Sequence, residues 1–84
     1  MTNQSICKAF VEGAIKEQAN SMFIEGNVIY SYGYHFPLAV RFNGKVYVNE
    51  IKFSKTTSKH QSAIKKALNY KYEASNTEEL KKMI

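Results

Sequence analysis

Two short stretches hold most of the side chains able to do chemistry. The first is YSYGYHF, residues 30–36, which places three tyrosines, a histidine and a phenylalanine within seven positions. At a strand's period of two, Tyr30, Tyr32 and Tyr34 share one face, with His35 beside them. Such a strip suits stacking or docking against a partner, although period-2 tyrosines also serve as half-buried packing residues. Gly33 interrupts the strand pattern, which predicts a bulge or a close backbone approach. The second stretch runs from Lys55 to Lys71 and carries Lys55, Lys59, Lys65, Lys66 and Lys71 with no acid before Glu73. The hydroxyls of Thr56, Thr57 and Ser58 precede a helical pattern. Lys55, Thr57, Ser58, Lys59, Lys65 and Lys66 thus form a candidate contact for an anion or a nucleic-acid backbone. The competing reading is a capping sequence followed by a solvated helix face.

Other chemistries find little support. His35 and His60 have no set of N, O or S partners at metal-ligand spacing, so no metal or cofactor is expected. Ser31, Ser54 and Ser58 lack a nucleophile-elbow motif, and Glu25 and Glu50 are not distinguished as an acid–base pair. No catalytic residue is assigned. A small enzyme or ligand-binding domain using His35 and His60 in an aromatic site is the alternative to a binding protein. Cys7 is the one cysteine, which excludes an internal disulfide and suits a reducing cytosol. It falls on an apolar helix face and is expected to be a core residue.

The chain has 84 residues and a net charge of +5, carried by 11 lysines and one arginine, Arg41. Lysine offers a point charge rather than the planar fork that reads guanine edges. The surface therefore suits loose phosphate or acidic-surface binding more than sequence-specific reading of a major groove. No apolar run approaches the length of a membrane span, and the N-terminal segment lacks a signal-peptide pattern. A cytoplasmic protein with no membrane partner is expected.

The elements that must position these residues follow from periodicity. Residues 4–18 read as an amphipathic helix capped by Asn3 or Ser5, with Ile6, Cys7, Phe10, Val11, Ala14 and Ile15 on one side. Gly13 within it implies a close packing partner. Residues 21–34 read as a hairpin around Gly26-Asn27, pairing Ile24 with Ile29 and Phe23 with Tyr30. Residues 37–50 read as a second hairpin around Asn43-Gly44, pairing Val40 with Tyr47 and Arg41 with Val46, with Pro37 opening its strand. Residues 51–57 form a connector or a fifth strand, with Ile51 and Phe53 on one side. A helix over 58–72 starts at a capping box, Ser58 to Gln61, with Thr57 or Ser58 as its cap. Residues 73–76 break the pattern, and Asn76 or Thr77 caps a last short helix. The whole predicts one α+β domain over 1–84 in the order α-β-β-β-β-α-α, with a mainly antiparallel sheet and helices on one face. An aromatic strip left uncovered on such a sheet makes a homodimer one expectation.

The segments SYGYHFPLAVRFNGKVYVNE and TTSKHQSAIKKAL together resemble a small domain of unknown function in phage- and prophage-encoded proteins. The shared pattern is an IYSYG-x-HFP-(I/L)-A strand and a TTSKHQ helix start, over residues 20–68. The resemblance implies a mobile-element origin. It marks Tyr30, Tyr32, Gly33, His35, Thr57, Ser58, Lys59, His60 and Gln61 as candidate site positions. The function expected is that of a non-enzymatic phage accessory protein acting by binding. Its partner would be a host protein or ribonucleoprotein complex, such as a defence machine it inhibits, or nucleic acid directly.

Overall fold

The two turn dipeptides build the centre of the sheet. In this computed structural model, which describes residues 2–52 and 54–84, Gly26 and Asn43-Gly44 adopt the positive φ that a tight reversal needs. The first turn joins β2 (Met22–Glu25) to β3 (Val28–Ser31), and the second joins β4 (Pro37–Phe42) to β5 (Lys45–Asn49). The registers are those expected: Phe23 opposite Tyr30, Ile24 opposite Ile29, Val40 opposite Tyr47 and Arg41 opposite Val46. Pro37 opens β4, where its missing N–H leaves no gap in the ladder.

Two short strands extend this core to six, in the spatial order of the chain. β1 (Lys16–Gln18) lies antiparallel on β2 at one edge. β6 (Glu73–Ser75) lies parallel on β5 at the other. Neither was expected. The α+β class, the single domain and the mainly antiparallel sheet stand, but the element order is α-β×5-α-β-α.

The first helix, α1 (Asn3–Val11), is shorter than its apolar pattern. Thr2, not Asn3 or Ser5, caps it by accepting the Ser5 N–H at 3.0 Å. Gly13 lies beyond the helix with φ 104°, so it ends the element rather than admitting a neighbour within it. Lys16 consequently belongs to a strand.

The second helix, α2 (Lys55–Ala67), begins a turn before the expected box. Ser54 is its cap, accepting the Thr57 N–H at 3.1 Å. Gln61 does not reach back to the first turn. Its Nε2 donates instead to the carbonyls of Asn49 and Ile51 at 2.7 and 2.8 Å. Of the fifth strand expected over 51–57, Phe53 lies outside the described residues. Ile51 and Lys52 join no strand, and residues from Lys55 onward are helical. The last helix, α3 (Thr77–Met83), is capped by Asn76, which accepts the Glu79 N–H at 2.9 Å.

The helices divide between the two faces of the sheet, correcting the expectation of one covered face. α1 and α2 enclose the main core of Ile6, Cys7, Phe10, Ile24, Ile29, Val48 and Ile64. α3 sets Leu80 and Met83 against Val28, Tyr30, Val40 and Tyr47 on the opposite side. The single arginine ties the layers together. Arg41 donates to the carbonyls of Phe10 (2.6 Å), Ala14 (2.9 Å) and Gly26 (2.8 Å), with its guanidinium over the Phe10 ring. It thereby bonds a carbonyl in the last turn of α1 and one in the segment after it, and holds the β2–β3 turn against them.

Two consequences can be measured by urea melting. Ser54→Ala should cost about 1 kcal/mol, whereas Ser58→Ala should stay within about 0.5 kcal/mol. Arg41→Lys should cost about 2 kcal/mol, because an ammonium cannot reproduce a fork that serves three carbonyls.

Candidate functional site

The fold sorts the lysines of α2 by their surroundings. Thr57, His60, Gln61 and Ile64 point into the protein, which fixes the rotation of the helix about its axis. Lys55, Lys59, Ser62 and Lys66 then fall on one stripe, because their spacings of four, three and four residues return to nearly the same direction at 100° per residue. All four are exposed, and among the described residues no carboxylate pairs with these lysines. Lys59, Ser62 and Lys66 line a shallow groove of about 390 Å³ with Gln4, Ser58 and Ala63, along the junction of α1 and α2. Among the described residues no acid stands on α2.

Three members of the expected set do not join this stripe, and of these Ser58 is half-buried at the wall of the groove. Lys65 forms an ion pair with Glu50 and lies near the Tyr72 ring, and hydrogen bonding to Glu50 raises its pKa. Thr57 is buried, with its Oγ1 accepting from the Ser54 hydroxyl at 3.0 Å.

The tyrosine strip is divided. β3 ends at Ser31, and Tyr32 takes φ 68°, which turns its side chain away from its neighbours. Tyr30 is buried under α3 and stacks with Phe23, their ring centroids 5.0 Å apart. Tyr34 is 62% exposed and returns to the same cluster, 5.0 Å from Tyr30 and 5.1 Å from Phe23. Its hydroxyl donates to Glu25 at 2.5 Å, which raises the phenol pKa. Tyr32, 58% exposed, lies instead on the α2 side, 5.4 Å from the His60 ring. The positive φ thus falls on Tyr32 rather than Gly33, and the ladder irregularity falls between Ile29 and Tyr30. Gly33 has a different reason to lack a side chain: a Cβ there would stand 3.0 Å from His35 Nδ1.

The aromatic cluster opens onto a groove of about 550 Å³ at the β1 edge, where Ile15, Phe23, Glu25 and Tyr34 contribute walls. On the other side of the loop, Ser31, Tyr32, His35 and Phe36 line a smaller cavity of about 320 Å³ with Ser54, Thr56 and Thr57. His35 is exposed at its mouth.

The two histidines differ in setting. His60 is 1% exposed and is held by two hydroxyls, Ser31 Oγ at 2.6 Å from Nδ1 and Ser21 Oγ at 3.1 Å from Nε2. A neutral imidazole has one donor and one acceptor, and two serine hydroxyls satisfy both. The arrangement fastens α2 to the start of β2 and the end of β3. Cys7 is buried, and burial pushes its thiol up to about 12, which removes the thiolate a nucleophile needs. Among the described residues no group of three or more His, Cys, Asp or Glu side chains is placed to hold a metal ion. No helix there is long and apolar enough to cross a membrane.

The His60 node gives the fold a pH dependence of known sign. Burial holds its pKa below the ordinary 6.5. As pH falls through 6.5 the unfolded chain takes up a proton that the folded protein still refuses. Stability is then full above about pH 7 and declines as the pH drops further. Urea melts at about pH 7.5 and about pH 5.5 should show this loss in the parent and a smaller one in His60→Asn.

Comparison of the chain with models of known protein families, with curated proteins and with solved structures finds no match, so the functional reading rests on the geometry of these surfaces.

Proposed function

We propose that this chain is a small non-enzymatic binding protein of phage type, and that α2 holds the sugar–phosphate backbone of a nucleic acid. One observation carries the reading: Lys55, Lys59 and Lys66 stand on a single exposed stripe, unpaired among the described residues, and Lys59 and Lys66 border a groove between α1 and α2. The hydroxyls of Ser58 and Ser62 add donors along the same border. A net charge of +5 supplies long-range attraction for a polyanion. Lysine and serine contacts to phosphate set register and affinity but carry no base identity, so the binding is expected to be insensitive to sequence.

A second reading, a protein partner such as a host nucleic-acid-handling or defence complex, is supported by the aromatic groove at the β1 edge. Exposed Tyr34 and Ile15 flank it, and the bond from Tyr34 to Glu25 holds the ring in place before any partner arrives.

The deciding measurement is equilibrium binding of the parent and of a Lys59→Gln, Lys66→Gln variant to mixed-sequence DNA and RNA at several salt concentrations. Removing one lysine–phosphate interaction should flatten the slope of log K against log salt by about 0.9 for duplex or about 0.7 for a single strand. A parent that fails to bind at low salt excludes the nucleic-acid reading. Capture of a host complex that survives moderate salt and is abolished by Tyr34→Ala would then favour the protein partner.

A further inference from the structure

We infer that the C-terminal end of α2 presents Tyr70 as a stacking platform for an unpaired base, so that the nucleic acid taken by this protein is single-stranded. The inference rests on the reading of α2 given above and adds the class of ligand.

Among the described residues Tyr70 is the most exposed of the large hydrophobic side chains, at 70%. Among the described residues no ring or hydrogen-bond partner engages its side chain. Its backbone is firmly held: the Tyr70 N–H donates to the Lys65 carbonyl at 2.9 Å, and its neighbours bond to Lys66 and Leu68. That closure requires two successive left-handed residues, Asn69 at φ 55° and Tyr70 at φ 59°. Asparagine tolerates this conformation and glycine favours it, whereas a large aromatic residue is disfavoured. A tyrosine therefore occupies a position where glycine would serve the fold better, and most of its surface stays exposed. The fold does not explain the ring.

The surroundings fit a nucleotide. Tyr70 borders a groove of about 470 Å³ whose other walls are Lys45, Val46, Lys71, Tyr72 and Glu73. Gly44 leaves the hairpin side of the groove low. Lys45 and Lys71 are exposed beside the ring and can hold phosphates, with the exposed Glu73 in the same groove. Tyr70 also follows Lys66 by four residues, so the platform sits at the end of the helix that carries the lysine stripe. A tyrosine ring stacks on a base whose face is free, which a duplex does not offer along its length. Every base has such a face, so the contact is tolerant of sequence, as the lysine contacts are.

Anisotropy with a labelled oligothymidylate and a labelled oligouridylate, each about twenty nucleotides long, and with a mixed-sequence duplex tests the inference. The parent should bind the single strands more tightly than the duplex. Tyr70→Gly should fold at least as stably as the parent, weaken single-strand binding roughly tenfold and leave duplex binding unchanged, while Tyr70→Phe should bind like the parent. The chain has no tryptophan. Tyr70→Trp therefore adds a unique fluorophore, whose emission should be quenched as oligonucleotide saturates. Unchanged single-strand affinity in Tyr70→Gly, or no quenching in Tyr70→Trp, overturns the platform and leaves the lysine stripe standing. A parent that binds neither form overturns both.

Discussion

A pair of buried amides, Asn49 and Gln61, sets the geometry on which the other features depend. Asn49 is fully buried at the end of β5. Its Nδ2 donates to the Pro37 carbonyl and to Thr77 Oγ1, and its Oδ1 accepts the Ile51 N–H. Gln61 reaches from α2 to the carbonyls on either side of that turn. One strand end thus binds β4, the helix on one face and the helix on the other. Each of these groups would be stranded without its partner, at a penalty of about 1–3 kcal/mol apiece. The network leaves α2 one rotation about its axis. With Gln61 and His60 turned inward, the stripe of Lys55, Lys59 and Lys66 can only face water.

What was legible in the sequence was local. Gly26-Asn27 and Asn43-Gly44 carry their turn chemistry within a few residues, so both hairpins and their registers could be read directly. The start of α2 was misplaced because Ser58 and Gln61 have the spacing of a capping box. Tertiary demand drew Gln61 to Asn49, and Ser54 took the cap. β6 was illegible for a related reason. Its parallel partner, β5, lies across the whole of α2, and nothing within EAS announces so distant a pairing. α1 looked longer than it is because Ala14 and Ile15 continue its apolar rhythm past the left-handed Gly13.

The candidate surfaces were legible as residue types but not as groupings. Counting lysines found the basic stretch, yet only the fold separates Lys65, neutralised by Glu50, from its solvent-facing neighbour Lys66. A period of two grouped Tyr30, Tyr32 and Tyr34, but the positive φ at Tyr32 divides them between opposite sides of the sheet. Neither the role of Arg41 nor that of Tyr70 follows from residue spacing. The signal for Arg41 was its solitude among 11 lysines, since a position that must serve several carbonyls at once excludes lysine. Tyr70 offered no signal until its backbone conformation was known.

The edge strand β1 has a consequence for behaviour at high concentration. The Gly26 N–H bonds to the Ile15 carbonyl and the Ala19 N–H to that of Met22, so odd-numbered residues face β2. Lys16 and Gln18 accordingly turn their own N–H and C=O groups to the outside. A second copy could meet them in an antiparallel register overlapping all three strand residues only with Glu17 set directly against Glu17. Two carboxylates across a ladder repel, and a one-position slip presents backbone groups that do not match. Pairing of two copies through their β1 edges is consequently disfavoured, and a single glutamate in a three-residue strand supplies the repulsion.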